Sequence, residues 1–292
     1  MPEQMENNLE NNKVNNQETP QEHAAKAKPG LIPQNELNEI KQVIAVMSGK
    51  GGVGKSLVSA LVAVGLKKQG LAVGILDADI TGPSIPRMFG LYEQPTPLGD
   101  LILPVKSKLG IMVISINLFM PEEDEPVIWR GPLLANVVKQ FWKDVAWGKL
   151  DYLIVDLPPG TGDVPLTVMQ SLPLSGVIVV SSPQDLALMV VRKAIKMTKM
   201  MNIPILGFVE NMSYLNCPAC GEKIHPFGPS YVDEVANKTG LKVIEVLPWE
   251  ADLTALCDRG EIEEYENNPF TQGNFLSFLE QGTYLKATVD KS

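Results

Sequence analysis

Residues 48–56, SGKGGVGKS, follow the apolar run QVIAVM (residues 42–47) and lead into LVSALVAVGL (residues 57–66). They fit the pattern G-x-x-x-x-G-K-[ST], with Gly49, Gly54, Lys55 and Ser56 at the fixed positions. Glycines let the backbone of Gly49, Lys50, Gly51, Gly52, Val53 and Gly54 curl, so that successive N–H groups and the following helix N-terminus point at phosphate oxygens. Lys55 adds charge at the β and γ phosphates, and Ser56 offers its hydroxyl to magnesium. A strand before this loop and a helix after it are what the chemistry requires, and the flanking runs supply both.

The same alternation continues along the chain. Short Val- and Ile-rich runs predict strands at VIAVMS (43–48), AVGILD (72–77), DYLIVDLP (151–158), GVIVVSS (176–182), ILGFVEN (205–211) and KVIEVLP (242–248). Each is nearly continuous in apolar residues, as expected for strands covered on both faces. Helical period marks residues 55–70 and 185–202, and two strand-like runs around Lys108-Leu109-Gly110 suggest a hairpin decorating the sheet. The predicted class is α/β: one domain over residues 39–292, a mostly parallel sheet with helices on both faces, and a P-loop at its heart. Residues 1–38 are rich in Asn, Gln and Glu, carry Pro20, Pro29 and Pro33, and are predicted to be a disordered tail.

A net charge of −9 opposes broad capture of nucleic acid or anionic lipid, so neither is an expected partner. No apolar run approaches the roughly 18 residues that span a bilayer. The N-terminal stretch has neither an apolar signal core nor arginine, and three cysteines suit a reducing compartment, so the expected location is cytoplasmic.

Lys50 departs from a generic phosphate loop, because a second lysine directly after the first glycine has little room to reach its own phosphates. The stretch GKGGVGKS resembles the deviant Walker A motif of the family that includes septum-site MinD, chromosome-partitioning ParA, the nitrogenase iron protein and arsenite-pump ATPases. The resemblance implies ATP and magnesium as ligands, and a Lys50 that crosses a homodimer interface to the partner's nucleotide. A cation delivered in this way stabilises charge developing at phosphoryl transfer. In LDADITGPS, Asp79 resembles the switch I aspartate that orients the attacking water. In VDLPPGTGD, Asp156 resembles the Walker B aspartate that holds magnesium through water, and the Gly160 amide lies where the γ-phosphate would be sensed. Asn211, in ENMSY, resembles the asparagine that reads adenine. Asp77 and Asp163 are weaker candidates, since strand ends and helix starts have structural uses for aspartate.

Far downstream, NCPACG (216–221) places Cys217 and Cys220 three apart. The pair is compatible with half a zinc site, a redox pair or half an iron–sulfur site. His225 and Cys257 would complete a zinc set on paper, but nothing in the spacing requires it; a loop histidine and a small apolar residue are the plainer readings. Symmetry offers another route: two chains in a homodimer contribute four thiolates, the number that a [4Fe–4S] cluster takes. Taken with SGKGGVGKS, LDADITGPSIPRMFG, WRGP and VDLPPGTGD, the block GFVENMSYLNCPACGEKIHPFG closely resembles the Mrp/ApbC family of iron–sulfur cluster carrier ATPases, over about residues 43–248. That resemblance implies an ATP-binding homodimer, slow hydrolysis, and a transferable cluster delivered to apo iron–sulfur proteins from a cysteine-bearing insertion at about 211–229. Two alternatives stay open: a MinD- or ParA-like ATP-gated positioning switch, and the same ATPase with a structural zinc shared by the cysteine pairs.

Overall fold

The computed structural model describes residues 30–80, 82–120, 131–183 and 187–280. Strand β1 (Glu39–Ser48) runs into the phosphate loop, helix α1 (Lys55–Lys68) and strand β2 (Val73–Asp77). Helix α2 (Ile85–Met88), β3 (Thr96–Leu98), β4 (Leu101–Leu103), β5 (Val105–Lys106) and β6 (Met112–Ile114) follow. Next come α3 (Gly131–Lys143), β7 (Lys149–Asp156), α4 (Asp163–Ser171), β8 (Gly176–Ser181), α5 (Ala187–Met201) and β9 (Ile205–Glu210). The chain closes with β10 (Leu215–Asn216), β11 (Lys223–Ile224), α6 (Val232–Thr239), β12 (Val243–Val246), α7 (Ala251–Arg259) and α8 (Gly273–Glu280).

Eight strands form the central sheet in the order β12-β9-β8-β1-β7-β2-β6-β5, and every neighbouring pair but β5/β6 is parallel. Successive side chains of a strand point to opposite faces, so each inner strand feeds two cores. Ile44 and Val46 of β1 join Ile154 and Ile178 under α1, α7 and α8, while Val43, Ala45 and Met47 join Val155 and Val179 under α3, α4, α5 and α6. This is why the strands read as continuous apolar runs. Burying side chains such as Val58, Leu61 and Leu66 of α1 stabilises the fold by about 1.5–3 kcal/mol each.

Two expectations shift. The hairpin around Leu109 is part of the sheet: β6 pairs in parallel with β2, and β5 turns back on it as the antiparallel edge, so β6 extends the core. Residues 30–38, assigned by composition to the tail, lie against the body. Trp142 Nε1 donates to the Ile32 carbonyl at 2.9 Å, and Asn35 and Asn38 side chains donate to the Val145 carbonyl at 3.0 and 2.9 Å. Their polar side chains are spent on backbone carbonyls at a helix end, a use that composition does not reveal. Residues 1–29 lie outside the described residues.

Candidate functional site

Strands β1, β2, β7 and β9 all end at one edge of the sheet, and their C-terminal ends carry the predicted site residues, as open α/β sheets place ligands. Lys55 opens α1 and is buried. Its Nζ donates to Asp156 Oδ2 at 2.8 Å and to Ser56 Oγ at 3.2 Å, and lies 3.5 Å from Asp79 Oδ2. Asp156 is fully buried and also accepts from Ser56 Oγ at 2.5 Å and Ser59 Oγ at 2.6 Å. Three oxygen-bearing residues therefore surround one ammonium in a site shielded from water.

Asp77 belongs to the same cluster. Its Oδ1 accepts from the Asp79 N–H at 3.1 Å and its Oδ2 from Ser115 Oγ at 3.0 Å. Burial, and then the charge of Asp156, push its carboxyl up to about 8, against the opposing pull of Lys55 and of the Ser115 bond. One proton on Asp77 relieves the repulsion among Asp77, Asp79 and Asp156, which share a single lysine. Asp163, in contrast, is the exposed first residue of α4, where a negative charge suits the helix dipole. The Gly160 amide donates to the Ser48 carbonyl at 2.9 Å, so a phosphate must win it from β1.

Asn211 is buried at the loop's back, with Nδ2 donating to the Val53 carbonyl at 3.0 Å. This contact explains Gly54, which has φ +78 and in which a Cβ would collide with Asn211 Nδ2. Lys50 is half-buried, Gly51 and Gly52 are exposed, and Val53 is buried under the loop.

The cysteines sit on a small hairpin, β10 against β11, at the same edge. The Cys217 N–H donates to the Glu222 carbonyl at 2.8 Å and the Gly221 N–H returns to the Cys217 carbonyl at 2.8 Å, closing a tight knuckle. Backbone amides of Ala219 and Cys220 point at the Cys217 sulfur and, with the Cys220 side chain, hold its thiol below the usual range. Cys217 is half-buried, Cys220 is exposed, and both are free. His225 Nδ1 lies 3.0 Å from the Ser213 carbonyl. Cys257 packs against the core under α7, its thiol pushed up to about 11 by burial and by Asp258. Among the described residues no three or more His, Cys, Asp and Glu side chains gather as a metal site, so the paper set of Cys217, Cys220, His225 and Cys257 is not assembled.

Sequence reasoning missed Ser59, Ser115 and Glu210. Ser59 lies one turn after Lys55 and so on the same helix face. Glu210 is an acid ending the buried strand β9, a signal visible in ILGFVE. Ser115 becomes relevant only once β6 joins β2. Trp129 and Arg130 of WRGP lie outside the described residues.

The sequence model of the family described as ParA: NUBPL iron-transfer P-loop NTPase matches residues 39–280. The chain belongs to this family. Among NUBPL-type relatives, the "Iron-sulfur cluster carrier protein" of Clostridium perfringens is 48% identical over 254 residues, covering 84% of this chain and 87% of that protein. The "Iron-sulfur cluster transfer protein NUBPL" of Dictyostelium discoideum is 43% identical, covering 76% of this chain and 69% of that one. A solved nucleotide-binding protein of Archaeoglobus fulgidus, in complex with ADP and with cobalt found in it, is 45% identical with a TM-score of 0.71, covering 85% and 95% of the two chains. MinD of Aquifex aeolicus, in its complex with MinC, shares the fold at 20% identity and a TM-score of 0.58, covering 82% of this chain and 95% of that one. The P-loop NTPase fold expected from SGKGGVGKS is thus that of the whole matched region.

Proposed function

We propose that two copies of this chain hold a [4Fe–4S] cluster between their cysteine pairs and deliver it to apo iron–sulfur client proteins, with slow magnesium-dependent ATP hydrolysis. The observation that carries the reading is a knuckle on the same sheet edge as the phosphate loop that offers two thiols, with no third His, Cys, Asp or Glu gathered to them among the described residues. A cluster takes four thiolates, and a second copy supplies the other two. Ile224, Phe227 and Trp249 stand exposed around the hairpin and give such a copy an apolar surface to cover. The relatives' names point to the same cargo.

At the nucleotide end, the loop amides and Lys55 neutralise the phosphates. Ser56, Asp156 and Asp79 are hard oxygen donors of the kind magnesium takes, and the Lys55 ammonium held among them supports a pocket suited to a cation. Magnesium there would stabilise phosphate charge. Nucleotide draws Lys55 from Asp156 to phosphate, which relieves Asp156 Oδ2 of one of its two donors. Asp79 orients the attacking water, Lys50 reaches the partner's nucleotide, and Asn211 reads the base. Free thiols suit a cytoplasmic carrier, and no helix among the described residues is long and apolar enough to cross a membrane.

The test is anaerobic reconstitution followed by iron, sulfide and zinc analysis. About four irons per two chains, lost in Cys217→Ala/Cys220→Ala, is the expected result. Stoichiometric zinc with no cluster would assign the pair a structural metal instead.

A further inference from the structure

The cysteine excursion leaves the body at Asn211 and returns at Tyr231, and one buried side chain grips both ends. Glu210, the last residue of β9, has no exposed surface. Its Oε1 accepts from Ser213 Oγ at 2.7 Å on the way out, and its Oε2 accepts from the Tyr231 N–H at 3.1 Å on the way back. Ser213 is itself fastened by its N–H to the Leu247 carbonyl at 2.9 Å, and its own carbonyl lies 3.0 Å from His225 Nδ1, on the far side of the hairpin. The cysteines ride on a platform whose two roots meet at one carboxyl group.

The next residue connects that platform to the phosphate loop. Asn211 Nδ2 donates to the Val53 carbonyl, while its N–H is held by the Ser181 carbonyl at 2.8 Å. The Val53–Gly54 peptide is trans, so its N–H faces away from Asn211. An anion taken by that N–H and the bond to Asn211 therefore act on one rigid plane. Between Asn211 and Ser213 lies Met212, with φ +58, a conformation that non-glycine residues without a short polar side chain rarely adopt. Bonds on either side hold it there. Slackening one would let Met212 relax toward negative φ and turn Ser213 and the hairpin root with it, the two-state element that coupling between sites requires.

We infer that the Glu210–Ser213 turn is a coupler: occupancy of the phosphate loop is passed through Val53, Asn211 and the strained Met212 to the hairpin that presents Cys217 and Cys220. Glu210 and Met212 are positioning residues: Glu210 acts through Ser213 and Tyr231, and Met212 through its backbone. The inference rests on the proposed pairing of a nucleotide site with a cysteine site, but needs no cluster to be tested.

The experiment is the alkylation rate of Cys217 and Cys220 in the reduced, metal-free full chain by iodoacetamide, with and without saturating Mg-ATP, followed by peptide mass analysis. Oligomeric state is checked by sedimentation in each condition. Wild type should show a rate change of about fivefold or more, the lower end of ordinary coupling. Glu210→Gln keeps one acceptor oxygen and loses the other, and Met212→Gly removes the strain. Both should bring the change close to onefold while shifting nucleotide affinity by no more than about that same fivefold factor, as reciprocal coupling requires. If Glu210→Gln does not fold, Met212→Gly carries the test. A wild-type rate indifferent to nucleotide overturns the coupler, as does a change of equal size in wild type and variants, which belongs to dimerisation alone. Failure of cluster loading would sink the carrier reading and leave these rates to be judged independently.

Discussion

The phosphate loop and the cysteine hairpin share one edge of one sheet, and opposite means hold them. At the loop, Lys55, Asp77, Asp79 and Asp156 are buried and locked into ion pairs and hydrogen bonds to serines, backed by the core under α1. At the hairpin, two short strands and a few backbone hydrogen bonds support one exposed thiol, Cys220, and one half-buried thiol, Cys217. The loop must bind an anion tightly with fixed donors, which calls for preorganisation in a water-poor setting. On the proposed carrier reading, a hairpin that gives up its cargo gains from exposure and needs little stability of its own.

The largest effect expected from this contrast is at Lys55. Lys55→Ala leaves Asp156 buried beside two further carboxyl groups without its cation, which should cost about 3–5 kcal/mol of stability in urea titration. Phosphate release from ATP should fall by about a hundredfold or more. An intermediate effect is expected at Asp77. The unfolded chain gives up this proton near the ordinary value of about 3.9, whereas the folded chain keeps it to about 8. The folded state binds the extra proton between those values, so this group's contribution to stability is fully present at the acid end, declines as pH rises through the window, and levels off above about 8. Asp77→Asn stays neutral and should remove that slope. Urea midpoints of the variant and wild type should then diverge from pH 5 to pH 8, and parallel curves would show that Asp77 is ionised throughout. The smallest effect belongs to the hairpin: Cys217→Ala/Cys220→Ala should change the metal-free stability by no more than about 0.5 kcal/mol, since Cys220 is exposed and Cys217 only half-buried. A loss of several kcal/mol would mean that the hairpin, too, holds the fold together.

The parts legible in the sequence were those in which local pattern and chemistry coincide. A phosphate loop needs its glycines, lysine and serine in consecutive order, and parallel strands announce themselves by unbroken apolar runs, so both could be read directly. Asp156 and Asp79 were found through their resemblance to the Walker B and switch I aspartates, in stretches that end or follow such strands. Asp77 was undervalued because its membership depends on Ser115, 38 residues away and brought near only when β6 pairs with β2. Glu210 shows in the sequence as an acid ending a buried strand, but its role was passed over because nothing local says that it joins Ser213 to Tyr231. The residues before β1 were misjudged for a related reason: Asn35 and Asn38 look like tail residues until α3 and the turn at Val145 supply their partners.

That N-terminal attachment has a practical consequence. Ile32 donates its N–H to the Ser171 carbonyl at the end of α4, and β1 then runs its 10 residues, about 33 Å, before the phosphate loop begins. The chain therefore enters the fold at the edge of the sheet opposite both the nucleotide and the cysteines. A dye, bead linkage or biosensor surface joined ahead of Gly30 holds the molecule by its blunt end, with its working edge turned toward whatever is flowed past it.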